Sequence, residues 1–368
     1  MSFLELPNIV QDKRKIIHVD MDAFYASIEE REHPEYKNKA LVIAHNPLEH
    51  NGHGVITTAN YRARKYGVGS AMPAMRAVEQ IPKSELVFID PDFELFRSVS
   101  GQIHQIFTEV TDQWEPVALD EAYLDVTNNK LHLDDPILLA LKIQRRIKHE
   151  LHLTCSVGIS YNMFLAKMAS DYAKPFGRTV VTSDQATNFL ARMPIKKFHG
   201  IGKTTQKKLQ AMKIETGRDL QGCSLVLLTE KFGKLGYAIY QRSRGIDNRP
   251  VEGKRVSKSI GKERTFNRPV FNDQEIKAIF HNLSKMVAQS LQRKRLHGQT
   301  VVIKVRTTDF QTFTRRKTLS SYTMDSNLIE QTSEELFAQL ALKSEPLRLL
   351  GVTVTNLVAQ SFEEINLF

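Results

Sequence analysis

Long apolar runs are missing from this sequence. No stretch of about 18 consecutive apolar residues occurs, so no membrane-spanning helix is expected. The opening segment, MSFLELPNIVQDKRK, lacks an apolar core long enough for a secretory signal. Cysteine is scarce: Cys155 and Cys223 are the only two. That is too few for a disulfide framework or a cysteine zinc site, and both are expected to be reduced thiols of a cytoplasmic protein. Low-complexity tracts and internal repeats are also absent, which excludes solenoids and fibrous arrays. What is present is the composition of a globular protein, 41% hydrophobic and 25% charged over 368 residues. A chain of this length is expected to form roughly two to four domains.

Charge is unevenly spread. The net charge is +10, and residues 249–358 carry 19 Lys+Arg against 10 Asp+Glu. The rest of the chain is close to balanced. A basic C-terminal module suits a polyanionic partner, because neutralising phosphates releases counterions and drives association; a basic surface kept for solubility is the plainer alternative.

The pattern alternates strands and helices. Lys15–Val19 reads as a buried strand ending in Asp20-Met21-Asp22, and AFYASIEERE follows as a helix. HNPLEHNGHG (45–54) reads as a loop, and VITTA (55–59) as a short strand. NYRARKYGV is a helix closed by Gly67, and 93–113 is helical. EPVAL (115–119) and AYLDVT (122–127) are strands flanking Asp120-Glu121. A helix over 136–151, a strand over 153–160, a helix stopped by Pro175 and a strand over 179–183 complete this part. Residues 184–246 are helical. The polar stretch 247–258 reads as a linker, and beyond it four strands with helices over 273–297 and 326–341 form a second α+β unit.

Two sites of paired acids stand out. Asp20 and Asp22 end an apolar strand, and Asp120-Glu121 sits between two others. A single strand-end acid is commonly a turn residue. Several converging carboxylates repel one another unless a cation lies between them. Mg²⁺ takes oxygen ligands and few protein groups, and two ions about 4 Å apart can activate a hydroxyl and stabilise a departing pyrophosphate.

Five segments now occur in a telling order: HVDMDAFYASIE (18–29), TTANYRARKYGV (57–68), LDEAYLDVT (119–127), VGISYNMFLAKMASDYAKPFG (157–177) and HGIGKTTQKKL (199–209). Their order and spacing resemble those of Y-family DNA polymerases of the bacterial translesion type, across about residues 15–358. The resemblance implies that Asp20, Asp120 and Glu121 are catalytic and bind two Mg²⁺ ions, with the Met21 carbonyl also facing a metal. It implies that Tyr25 is the steric gate that excludes a ribose 2′-hydroxyl. Thr58, Tyr61, Arg64 and Lys174 would bind the incoming triphosphate; Tyr61 and Arg64, three apart, share a helix face, and arginine suits phosphate through its forked donors. Read without the resemblance, Tyr25 is a core tyrosine and the others are solvated helix charges or a helix-stop turn. Two departures from the family pattern are Ala118, where a serine is frequent, and Phe176, where Lys-Pro-Asn-Gly is frequent.

Gly200-Ile201-Gly202-Lys203-Thr204 is not a nucleotide P-loop: the position five before Gly202 is Lys197, and the position three after it is Thr205. It reads as a helix–hairpin–helix, whose glycines let backbone N–H groups approach a DNA phosphate. Lys203, Lys207 and Lys208 add charge. A tight helix–helix turn is the alternative.

The basic module resembles the family's little finger, with Arg264, Arg268, Arg306, Arg315, Arg316 and Lys317 as candidate phosphate contacts; several lie at alternating strand positions that would share one face. The final residues, Glu364 to Phe368, resemble a sliding-clamp-binding peptide, with Leu367 and Phe368 as its apolar anchors.

The expected fold is α+β and multidomain, a right-hand polymerase: palm at 1–23 and 93–181, fingers at 24–92, helical thumb at 182–246, linker at 247–258, little finger at 259–358 and clamp-binding tail at 359–368. The expected activity is template-directed addition of deoxynucleotides to a primer 3′-hydroxyl, with low fidelity, translesion synthesis and no proofreading, by a monomer that binds primer–template DNA and a sliding clamp. A palm-like nucleotidyl cyclase and a non-catalytic, clamp-bound DNA-binding protein are the rivals.

Overall fold

The computed structural model describes residues 13–253, 257–342 and 345–359. The chain forms two compact units, one up to residue 254 and one from 255 onward.

The first unit begins with β1 (Ile16–Met21), every residue of which is buried. Helix α1 (Phe24–Glu32) follows, entered through Ala23 in the left-handed region at φ 46°. Next come β2 (Ala40–Ile43), β3 (Thr58–Ala59), α2 (Tyr61–Lys65), α3 (Met75–Gln80) and β4 (Leu86–Ile89). Strands β3, β2 and β4 make a small sheet. VITTA is shorter as a strand than the sequence suggests. Its first half pairs with a turn instead: Ile56 N–H donates to Met72 O at 2.9 Å and Ala71 N–H to Ile56 O at 2.8 Å.

Helix α4 (Phe93–Val110) is capped by Asp92, whose carboxylate accepts from the N–H groups of Glu94 and Leu95. It turns an apolar stripe, Phe96, Val99, Ile103, Phe107 and Val110, into the core. Strands β5 (Trp114–Pro116) and β6 (Glu121–Asp125) are joined by a turn in which the N–H groups of Val117 and Ala118 both point to Glu121 O. The expected strand over 115–119 therefore stops early, and Asp120 lies in the turn. Helix α5 (Pro136–Leu151), strand β7 (Cys155–Ser160), helix α6 (Met163–Tyr172) and strand β8 (Arg178–Val180) complete a five-stranded sheet of order β5-β6-β1-β7-β8. Strand β8 ends at Val180 because Thr182 already occupies the N-cap position of the next helix. Gly158 on β7 is required by close approach: a β-carbon there would lie 1.9 Å from Ala166 O and 2.3 Å from Ser170 N, so α6 can lie flat on the sheet only over a glycine.

Five helices follow: α7 (Ser183–Ala191), α8 (Lys203–Ala211), α9 (Gly217–Gln221), α10 (Leu225–Phe232) and α11 (Lys234–Ser243). They share a core with α6 through Phe164, Leu165, Phe198, Leu209 and Ile239. Residues 247–253, polar in sequence, are docked rather than free. Arg14 donates to the carbonyls of Asp247 (2.9 Å) and Arg249 (2.7 Å), and Val251 packs with Ile16, Tyr123 and Met163.

The second unit is a four-stranded antiparallel sheet of order β11-β10-β12-β9, built from β9 (Ser259–Val270), β10 (Leu296–Thr307), β11 (Thr312–Thr323) and β12 (Leu347–Ala359). Helices α12 (Asp273–Arg293) and α13 (Ser326–Ala338) cover one face, over Val301, Ile303, Val305, Leu350 and Val352.

Candidate active site

The acidic residues meet because three strands end together. In the register of β1 and β6, Asp20 stands opposite Glu121, and Met21 N–H donates to Asp120 O at 2.9 Å. Like charges directly opposite across a strand pair repel, and the structure places cations there. Lys167, reaching from α6, puts its Nζ 2.6 Å from Asp20 Oδ2 and 2.7 Å from Glu121 Oε2. The Lys174 ammonium also bonds Asp20. Burial lowers the charged form of Lys167, but Asp20, Asp171 and Glu121 outweigh it and hold the amine well above its ordinary range. Burial and the charges of Asp20 and Glu121 push the Asp120 carboxyl up to about 6. Glu121 goes the other way: burial is overcome by the nearby His18 imidazole and by Lys167, which keep it ionised.

His18 is fully buried on β1, its Nδ1 2.9 Å from Ser170 Oγ and its Nε2 3.4 Å from Glu121 Oε2. His18, Asp20 and Glu121 each offer a ligand atom, all within 4.8 Å of one another.

Asp22 does different work from Asp20. It accepts from Ser156 Oγ (2.7 Å) and from the N–H of Phe176 (2.9 Å), with the Tyr61 hydroxyl at 3.4 Å. It thus pins the turn that carries Lys174 against the sheet. Phe176 occupies the left-handed region at φ 53°, with Lys148 Nζ 5.0 Å from its ring centroid.

The sequence matches the profile of the impB/mucB/samB family over residues 19–171, that family's C-terminal domain over 257–367, and the thumb domain of DNA polymerase iota over 196–247. It is 46% identical over 364 residues to the DNA polymerase IV of Streptococcus mutans, covering 99% of this chain and 98% of the relative. The DNA polymerase IV of Streptococcus thermophilus is equally similar, at 46% over 364 residues and 99% of both chains. The chain belongs to the Y family of DNA polymerases. Among solved structures, a Y-family DNA polymerase chimera superimposes with a TM-score of 0.84 at 26% identity, covering 94% of this chain and 99% of that one. DinB from Sulfolobus solfataricus gives 0.64 at the same identity and coverage.

In this Y-family chain the other expected site residues fall into separate groups. Tyr25, half-buried on the first turn of α1, stacks on Phe96 with ring centroids 4.3 Å apart and meets the edge of Phe93. Burial and the Asp120 charge suppress ionisation of its hydroxyl. Thr58 is buried on β3. On α2 the Arg64 guanidinium lies 4.9 Å from the Tyr61 ring centroid, and its Nε donates to Ala59 O. Asn60 aligns this group: its Oδ1 accepts from the N–H groups of Leu41 and Ala63, and its Nδ2 donates to Glu30 and to Lys39 O.

Gly200 has φ +89°, a conformation that suits glycine, and Gly202 is the N-cap of α8, with Lys203 exposed at its first turn. In the second unit several basic residues share a face and others take the opposite one. Arg264 and Arg315 pair with the core-facing Leu350 and Ile303. Arg316 pairs with Val302 and stands on the opposite face, together with Arg306. Because β9 and β11 are edge strands, even the helix-side cations reach solvent. Lys317 is tied to Glu335 at 2.6 Å and Arg268 faces Glu275 at 3.5 Å. The expected clamp anchors Leu367 and Phe368 lie outside the described residues.

Sequence reasoning missed His18 and Lys167. Each is a polar residue inside an apolar run, IIHVD and MFLAKMAS, and a polar side chain on a buried face is the signal that should have drawn attention.

Proposed function

We propose that the acidic cluster at the ends of β1 and β6 is the catalytic centre of the polymerase, with Asp20, Asp120 and Glu121 as ligands of two Mg²⁺ ions and the Met21 carbonyl as a further ligand. The chain is a DNA-directed DNA polymerase of the low-fidelity, translesion kind, and the cyclase and accessory-protein readings are not favoured. The observation that carries the assignment of the site is the meeting of Asp20 and Glu121 across β1 and β6, with Asp120 in the adjoining turn whose carbonyl accepts from Met21 N–H. The residues fit the metal: two ammonium groups, Lys167 and Lys174, are already drawn to these carboxylates. Cations bound there would polarise the primer 3′-hydroxyl and stabilise the pyrophosphate that leaves.

The chain's own groups do the rest. His18 orients Glu121, as an outer partner orients a ligand. Lys174, Arg64, Tyr61 and Thr58 bind the triphosphate, Lys174 from a turn fixed by Asp22 and Arg64 from a helix fixed by Asn60. The Tyr25 ring, braced by Phe96, closes the space a 2′-hydroxyl would need. The fingers (24–92) are small beside the palm (1–23 and 93–181), so the nascent pair is enclosed loosely and selection by shape is weak. The thumb (182–246) grips a DNA phosphate through Gly200, Gly202 and Lys203. Beyond the linker (247–258), the little finger (259–358) adds Arg264, Arg306, Arg315 and Arg316. The tail (359–368) binds a sliding clamp through Leu367 and Phe368, and the enzyme works as a cytoplasmic monomer.

Primer extension with Mg²⁺ on intact and lesion-bearing templates tests this reading. Asp120→Asn should bind primer–template normally and extend it at least about 10³-fold more slowly, a loss of roughly 4 kcal/mol of barrier lowering. Extension at the wild-type rate would remove Asp120 from the centre.

A further inference from the structure

Arg242, on α11, is a cation with no acidic partner bonded to it among the described residues. It is half-buried. No hydrogen bond or ion pair holds its guanidinium among the described residues. Asp247, whose charge Arg242 feels, is bonded to another arginine: Arg249 donates to both its oxygens, at 2.8 and 2.7 Å. Burial and the Arg249 charge disfavour the charged form of Arg242, so the side chain sits in a place that disfavours a lone cation.

Its position is nevertheless fixed. The guanidinium lies over the face of Phe164, 5.5 Å from the ring centroid. Phe164 also packs against Phe198, with centroids 6.0 Å apart, at the start of the glycine turn. Phe198 and Ile201 are both buried, and Ile201 N–H donates to Phe198 O at 3.1 Å. One aromatic ring therefore supports both the turn and the arginine. They are close neighbours: a β-carbon added to Gly200 would lie 2.9 Å from Arg242 Nη1. Glycine at 200 serves the positive φ and also leaves room for the guanidinium beside the backbone.

We propose that Arg242 is a DNA-phosphate ligand that acts with the Gly200–Gly202 turn to hold the backbone of bound duplex. The inference rests on reading that turn as a phosphate contact, and it adds a positioning residue from a different helix. A phosphodiester seated on the turn meets a guanidinium already oriented, unpaired and partly desolvated, the setting in which a charge-assisted contact is strong. Such a contact reads no base and fixes where the duplex sits relative to the carboxylates.

The test is binding of a fluorescent primer–template to the full chain between about 50 and about 300 mM KCl. Arg242→Gln should make the slope of log K against log salt shallower by about one, while Arg242→Lys retains most of it. The melting temperature of each variant is recorded alongside. Lys203→Ala, in the turn's own helix, separates the two ideas. If it flattens the slope and Arg242→Gln does not, the arginine assignment is overturned and the turn keeps its role. If neither changes the slope, the reading of the turn falls and the inference with it. Should Arg242→Gln fail to fold, phenylglyoxal labelling of the wild-type protein decides: bound duplex should protect Arg242, and labelling unchanged by DNA overturns the proposal.

Discussion

The Lys167 ammonium lies 2.6 Å from the carboxylate of Asp20. It is joined to the facing acid Glu121 as well, so one amine spans the two strands β1 and β6. Removing a partner from a buried ion cluster leaves uncompensated charge and commonly costs about 3–5 kcal/mol. Lys167→Met should therefore destabilise the protein in EDTA by an amount near the lower end of that range, because the site is open on one side. Millimolar Mg²⁺ should restore part of the loss, since a divalent ion can replace the missing charge. Urea unfolding with EDTA and with Mg²⁺ measures both effects; an unchanged midpoint in EDTA refutes the counter-ion role.

Asp120 gives a pH dependence with a definite sign. Its folded pKa of about 6 lies above its ordinary 3.8. The folded state therefore favours the proton more than the unfolded chain does, and this side chain costs stability as pH rises from about 4 to about 6. A shift of two units is roughly 3 kcal/mol at most, and partial exposure screens it to about 1–2 kcal/mol. In EDTA, Asp120→Asn should melt higher than wild type at pH 7.5, with the difference vanishing near pH 4. A variant that melts lower at pH 7.5 contradicts the crowding of the three acids.

Much of this was readable from residues alone. The apolar run before Asp20, the acids between two strand patterns and the helices expected over 93–113 and 136–151 follow from local periodicity, although the first helix ends at Val110 and the caps Asp92 and Asp135 emerge only in the structure. The family likeness supplied roles for Tyr25, Arg64 and Lys174. What local pattern could not supply was anything decided by distant pairing. Asp22 looks like the twin of Asp20, yet it serves Ser156 and Phe176, more than a hundred residues away. His18 and Lys167 stand out in sequence only as polar residues in apolar runs; which groups they meet is decided when β1, β6 and α6 pack together. Arg315 and Arg316 split between faces because neighbours on a strand point to opposite sides, and register sets which of those sides meets the helices.

The proposed sugar gate, Tyr25, has a direct test. Its ring is clamped by Phe96 and bordered by Phe93, so it cannot swing away to admit a larger substrate. Tyr25→Ala should raise ribonucleotide incorporation relative to deoxynucleotide by roughly tenfold to a thousandfold, equal to about 1.4–4 kcal/mol of lost exclusion. Single-nucleotide extension with each triphosphate measures the ratio. A ratio equal to wild type moves the gate elsewhere.

The tail is tested by deletion. Removing residues 364–368 should leave extension by the enzyme alone within about twofold of wild type and abolish stimulation by the sliding clamp, because two apolar anchors are lost and nothing in the catalytic centre is touched. Stimulation that survives the deletion places the clamp contact on another surface.

Phe176 is a departure from the family's frequent asparagine, and the backbone explains which replacements it tolerates. The residue sits at φ 53° and donates its N–H to Asp22, while its side chain offers only an exposed ring to Lys148. Asparagine is among the residues that enter this region readily, whereas a β-branched side chain is a poor fit. Phe176→Asn should keep the turn, the nucleotide KM and the stability, the last within about 1 kcal/mol, since the lost cation–π contact at an exposed site is worth about 0.5–1 kcal/mol and the gain in backbone preference offsets it. Phe176→Val should cost about 1–2 kcal/mol through backbone strain and raise the nucleotide KM, because the Asp22 contact and the placement of Lys174 depend on the same turn. If valine left KM unchanged while lowering stability, the turn would be structural only and Lys174 would find the triphosphate without it.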